Sequence, residues 1–126
     1  MRAVDTDVLL RLLLRDEPRQ TAAALRFVEE EAWISTAVLL ETAWVLSSRY
    51  ERTPAAIAAA LETVLGLRWV AVQEIDAAAA ALALFRQHPR LGFSDCYIAA
   101  AARQAGHLPL GTFDRMLTRL PGAQEL

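Results

Sequence analysis

Four carboxylates in this 126-residue chain stand where the sequence around them changes character. Asp5 ends a short run, Met1-Arg2-Ala3-Val4, and comes just before the strongly apolar Val8 to Leu14. Glu41 interrupts the apolar stretch from Thr36 to Tyr50. Asp95 follows Ser94 at the head of an alanine-rich segment, and Asp114 closes the triplet Thr112-Phe113-Asp114. Two ionised carboxylates about 4 Å apart repel by roughly 4 kcal/mol at an effective dielectric near 20, so four gathered acids require a cation. Oxygen-only ligation suits Mg²⁺ or Mn²⁺, which keep several waters and complete their shell with phosphate oxygens. Acids holding such ions at the mouth of a sheet are the arrangement that phosphodiester hydrolysis uses. Zinc is not expected, because His88 and His107 each lack a partner at ligand spacing and read as structural or surface residues.

The elements around these acids must bring them together. Residues 1–4 read as a strand that hands over at Asp5 to an apolar helix, with Asp7 as its N-cap. Asp16-Glu17-Pro18 opens a second helix, expected to reach about Glu31 with Thr21, Leu25 and Val28 on one face. Ala32 to Ser35 reads as a strand. Thr36 to Tyr50 reads as a helix apolar nearly all round, hence buried, with Glu41 as its anomaly. Thr53-Pro54 caps a helix carrying the stripe Ile57, Leu61, Val64 and Leu65, closed by Gly66. Arg68 to Val72 is a strand, and Asp76 opens a helix with Ala78, Leu82 and Phe85 on one face that stops before Pro89. Ser94 opens a helix to Ala105, with Gly106 just past its end. His107 to Gly111 is a strand weakened by Pro109, followed by a helical turn, the turn Pro121-Gly122 and a last strand from Ala123 to Leu126. This alternation predicts one α/β domain over residues 1–126, with helices on both faces of one parallel sheet. In that topology strand ends and helix starts share a rim, so Asp5, Glu41, Asp95 and Asp114 are expected on the same edge. Taken singly, each also has a local account: Asp5 or Asp7 as cap, Asp95 as an acid complementing a helix dipole, Asp114 as a turn residue.

Composition narrows the chemistry further. The net charge is −2 and the pI about 5.7, which argues against a protein that coats nucleic acid non-specifically, although a local basic rim is compatible with both. All 13 basic residues are Arg and none is Lys. That removes Schiff-base chemistry and P-loop nucleotide hydrolysis, which need an ammonium group. The single cysteine, Cys96, excludes a disulfide framework and reads as a small buried hydrophobe. No apolar run reaches the roughly 20 residues of a membrane span, and the N-terminus enters a strand instead of a signal sequence, so a soluble, cytoplasmic protein is expected.

The residues Val4-Asp5-Thr6-Asp7-Val8-Leu9, then Glu41 in a helix behind a short strand, then Ser94-Asp95-Cys96-Tyr97-Ile98-Ala99-Ala100, then Thr112-Phe113-Asp114-Arg115, together resemble the PIN-domain nucleases. Within them the chain looks most like the VapC-type toxins of bacterial toxin–antitoxin pairs, and the resemblance covers its whole length. It implies a three-layer α/β/α sandwich with a central, mostly parallel sheet. It implies a Mg²⁺-dependent endoribonuclease, a homodimer, and inhibition by a cognate antitoxin protein. Carried onto matching positions, Asp5, Glu41, Asp95 and Asp114 are the catalytic, metal-holding acids and Thr112 a supporting hydroxyl. Asp7 departs from the pattern, since Asn or Ser often stands there in the family.

Two rival readings follow from the same residues. Asp5-Thr6-Asp7 also fits the nucleophile and acid of a haloacid-dehalogenase-type phosphatase, but such enzymes need a further basic residue, usually Lys, and leave Asp95 and Asp114 unexplained. A PIN domain that binds RNA or a protein without cutting has no use for four repelling acids. For substrate phosphates the candidate contacts are Arg11 and Arg15, one turn apart, and Arg115 beside Asp114. The leucine-rich first helix with Trp44, Tyr50 and Trp69 supplies the apolar surface expected of a dimer and an antitoxin groove.

Overall fold

In the computed structural model, which describes residues 1–126, the backbone turns from strand to helix at Asp5. Strand β1 covers Arg2–Ala3 and helix α1 covers Thr6–Leu14. Asp5 between them is extended, and its Oδ1 accepts from the Thr6 N–H at 2.7 Å while its carbonyl accepts from Val8 and Leu9. Asp5, not Asp7, is therefore the N-cap, and Asp7 lies inside the first turn, where its charge complements the helix dipole. The chain divides into two compact units, Met1–Ile75 and Asp76–Leu126.

The first unit continues with α2 (Pro18–Phe27), β2 (Ala32–Ile34), α3 (Thr36–Ser48), α4 (Pro54–Gly66) and β3 (Val70–Val72). Its three strands pair in parallel in the order β1-β2-β3, with Ala3 opposite Trp33 and Ile34 opposite Val72. Parallel neighbours need a crossover, and α1 with α2, then α3 with α4, provide them. Ser35 ends β2 as Asp5 ends β1, extended and capping α3 through its hydroxyl, which accepts from the Val38 N–H at 3.2 Å. Thr53 caps α4 in the same way, accepting from the Ala56 N–H. Leu9, Ile34, Leu39, Leu46, Leu61 and Val64 are the largest apolar side chains fully buried in this unit. Thr42 is buried with them, and its hydroxyl donates to the Val38 carbonyl at 2.7 Å, so no polar atom is stranded.

Several boundaries differ from expectation for local reasons. Helix α2 stops at Phe27, before Glu29-Glu30-Glu31, because three carboxylates at a helix C-terminus oppose its dipole. Its buried positions are Thr21 and Ala24, with Val28 buried just beyond, while Leu25 is exposed. Strand β3 begins at Val70, two residues later than Arg68. Helix α3 is not buried all round: Glu41 is exposed and Trp44 is 66% exposed.

The second unit holds most of α5 (Ile75–Gln87), then α6 (Phe93–Ala105), β4 (Leu110–Thr112), a 3₁₀ turn at Leu117–Arg119 and β5 (Ala123–Glu125). Ala78, Leu82 and Phe85 are buried as their spacing requires. The Phe85 ring meets the Phe93 ring edge to face at 6.0 Å, a favourable aromatic geometry that ties α5 to α6. Gly106 ends α6 at φ 79°, a left-handed conformation in which its N–H reaches the last turn's carbonyls. Pro109 has no N–H to offer a ladder, so pairing starts at Leu110, whose N–H donates to the Gly122 carbonyl at 2.8 Å. Strands β4 and β5 run parallel, Leu110 opposite Ala123. The α/β class with wholly parallel pairing is as expected. The strands are hydrogen-bonded as a three-stranded and a two-stranded sheet in place of the single ladder anticipated. No helix is long and apolar enough to cross a membrane.

Candidate acidic site

Each predicted acid sits at an element boundary or a helix face that its local sequence explains. In the first unit Asp5 is exposed at the end of β1. It lies on the wall of a concavity of about 580 Å³ shared with Asp7, Val8, Arg11, Gln20 and Phe27. The Phe27 ring is braced by Arg2, whose guanidinium carbon lies 4.0 Å from the ring centroid and whose Nη2 donates to the Phe27 carbonyl. Gln20 and Phe27 carried no motif that would have singled them out. Glu41 is the sixth residue of α3 and is exposed, not buried as expected, so it carries no burial penalty and needs no buried counter-ion.

In the second unit Asp95 is half-buried in the first turn of α6. Asp114 is exposed and held by a local network: its N–H donates to Thr112 Oγ1 at 3.0 Å, and its Oδ1 accepts from the Met116 N–H at 2.8 Å. Thr112 thus acts on Asp114 through the backbone. The donors are oxygens only, the kind a hard divalent cation takes. No group of three or more His, Cys, Asp or Glu side chains is gathered closely enough to hold a metal ion. None of the four acids is in an ion pair, although the chain carries 13 arginines.

The three arginines named as phosphate contacts differ in availability. Arg11 is engaged: its Nη2 donates to the Tyr50 hydroxyl at 2.9 Å and its Nη1 lies 3.1 Å from Asp16. The Tyr50 hydrogen bond and the Asp16 charge hold its guanidinium still more firmly protonated. Arg15 is exposed at the C-cap of α1 in a left-handed conformation, φ 52°. Arg115 is exposed and only loosely paired with Glu125 at 3.5 Å. His88 is half-buried and His107 exposed.

Cys96, beside Asp95, is fully buried and unbonded. Burial pushes its thiol up to about 11, and the Asp95 charge adds to the shift. Since the thiolate is the reactive form, Cys96 is expected to remain unmodified by Ellman's reagent in the native chain at pH 8 and to react at once in denaturant. Rapid release of one equivalent of thionitrobenzoate from native protein would contradict this placement.

The PIN domain family model matches residues 2–123, a span that takes in parts of both units. No curated protein and no solved structure matches the chain.

Proposed function

The chain belongs to the PIN domain family, whose members are in general nucleases, and from that premise we propose that it is a metal-dependent endoribonuclease acting as the toxin of a toxin–antitoxin pair. The observation that carries the reading is the state of the four acids. Asp5, Glu41, Asp95 and Asp114 have no cationic side chain as partner in a chain rich in arginine. Asp5 and Asp114 also hold backbone N–H groups and Asp95 complements the α6 dipole, while Glu41 is exposed with no such local use. Asp5 and Glu41 in the first unit and Asp95 and Asp114 in the second are the acids proposed to supply oxygen ligands for Mg²⁺ or Mn²⁺, with Thr112 fixing the Asp114 turn. When bound, such an ion neutralises charge on the phosphate and lowers the pKa of an attacking water. The hollow beside Asp5, with apolar walls and a few polar groups, has the size and lining of a site that admits part of a nucleotide.

A groove of about 500 Å³ in the first unit, lined by Leu12, Leu13, Leu46, Ala60 and Trp69 among others, favours an antitoxin that docks an apolar segment. Exposed Trp44 favours a homodimer. The cytoplasm, where such RNA is found, is the proposed place of action. The phosphatase reading is weaker because the chain has no Lys to bind a phosphate monoester.

Mixed RNA incubated with the purified chain should be cut endonucleolytically with Mg²⁺ or Mn²⁺ and left intact with EDTA, while p-nitrophenyl phosphate stays unhydrolysed. Hydrolysis of p-nitrophenyl phosphate with intact RNA would favour the phosphatase, and RNA bound but never cut would favour a binding module. Expression alone in a bacterial host should arrest growth, and co-expression of the antitoxin should restore it.

A further inference from the structure

A further concave site lies wholly in the unit Asp76–Leu126, and no Asp or Glu lines it. It has a volume of about 260 Å³, and its walls include Gln87, His88, Arg90, Leu91, Met116 and Arg119. Two separate stretches of chain build it. One is the end of α5, where the His88 N–H donates to the Leu84 carbonyl and the Leu91 N–H to the His88 carbonyl. The other is the 3₁₀ turn that carries Arg119. Cations near a helix C-terminus complement its dipole, which accounts for Arg90. It does not account for Arg119, which comes from a different element and lines the same hollow.

Neither Arg90 nor Arg119 is in an ion pair, and no Asp or Glu lines the pocket. Arg90, Arg119 and His88 line one hollow with no acid on its wall, a setting that an anion stabilises. Leu91 in the wall is buried, while Arg90 and Arg119 are exposed and free to turn their donors to an anion, and charge-assisted bonds are about twice as strong as neutral ones. Arg presents its donors as a planar fork that matches phosphate oxygens in pairs. The volume falls below the roughly 300 Å³ at which small-molecule sites begin, so it fits a phosphate group better than a whole nucleotide. Met116 belongs to the pocket wall while its N–H holds Asp114 Oδ1, so the pocket and that acid share one turn.

We infer that Arg90, Arg119 and His88 form a backbone-phosphate subsite that holds one phosphodiester of single-stranded RNA beside the Asp114 turn. The inference rests on the proposal that the chain acts on RNA. Sequence spacing does not show the subsite, because Arg90 and Arg119 are far apart in the chain and neither belongs to a motif.

The test is fluorescence anisotropy of a labelled single-stranded RNA on the full chain, in EDTA to prevent cutting, across a salt series. Arg90→Ala/Arg119→Ala should bind about tenfold more weakly, the loss of one charge-assisted contact. Its log–log salt slope should be shallower by about 0.7, the value per phosphate on single strands. Arg26→Ala/Arg68→Ala removes the same charge from exposed positions in the other unit and should keep the wild-type slope. Equal slope changes in both double variants would overturn the subsite, since net charge alone would then explain them. An unchanged slope in Arg90→Ala/Arg119→Ala, with wild type binding and cutting RNA, would overturn the subsite and leave the nuclease reading intact. Wild type that binds no RNA would overturn both. A pocket for free phosphate would appear as inorganic phosphate, at matched ionic strength, binding wild type but not the double variant while both hold RNA equally; that too would overturn the inference.

Discussion

Asp5→Asn and Asp95→Asn are expected to cut RNA at least about a hundredfold more slowly than wild type, the scale on which losing one charge-stabilising group falls. Both should stay folded. At Asp5 the carboxylate has a structural use, accepting the Thr6 N–H, and Asn caps helices about as well as Asp. At Asp95 the amide gives up a favourable first-turn charge worth about 0.3–1 kcal/mol. Glu41→Gln should change stability by no more than about 0.5 kcal/mol, because Glu41 is exposed in mid-helix without an ion-pair partner. Gel-resolved RNA cleavage alongside thermal melting separates the two effects. Wild-type cleavage by any of the three variants would remove that residue from the site, and a large drop in melting temperature would make its role structural.

Leu39→Ala is expected to destabilise the chain by about 2–5 kcal/mol, the range for deleting a fully buried leucine and leaving a cavity. Leu39 is 0% exposed in α3, two residues before Glu41. Domains of this size are stable by only about 5–15 kcal/mol, so the variant should shift the urea midpoint far down or fail to accumulate. Trp44→Ala, five residues further along the same helix, should stay within about 0.5 kcal/mol of wild type because the indole is largely solvated. If the two substitutions cost the same in urea titration, the face assigned to α3 is wrong. Should Trp44→Ala also leave the sedimentation of the wild type unchanged, Trp44 would have no part in a dimer.

Where the physics is carried by near neighbours, the sequence alone was enough. The strand-to-helix handover at Asp5, the Thr53-Pro54 start of α4, the Ala78, Leu82 and Phe85 face of α5 and the Gly106 terminus all rest on capping, period and glycine conformation within a few residues. The parallel pairing of β1, β2 and β3 followed too, because the two-helix crossovers between them force it.

Where a residue's surroundings come from distant segments, only the tertiary structure decided. Helix α3 is apolar on nearly every side, so its period could not say which face would meet the core, and Glu41 and Trp44 turned out to be solvated. Arg11 looked free beside Arg15, yet it is claimed by Tyr50, 39 residues on, and by Asp16. Arg90 and Arg119 carried no signal at all, and packing put them around one hollow. Side-chain charge and size are written in the chain locally, whereas a partner or a counter-charge is supplied by whatever the fold lays alongside.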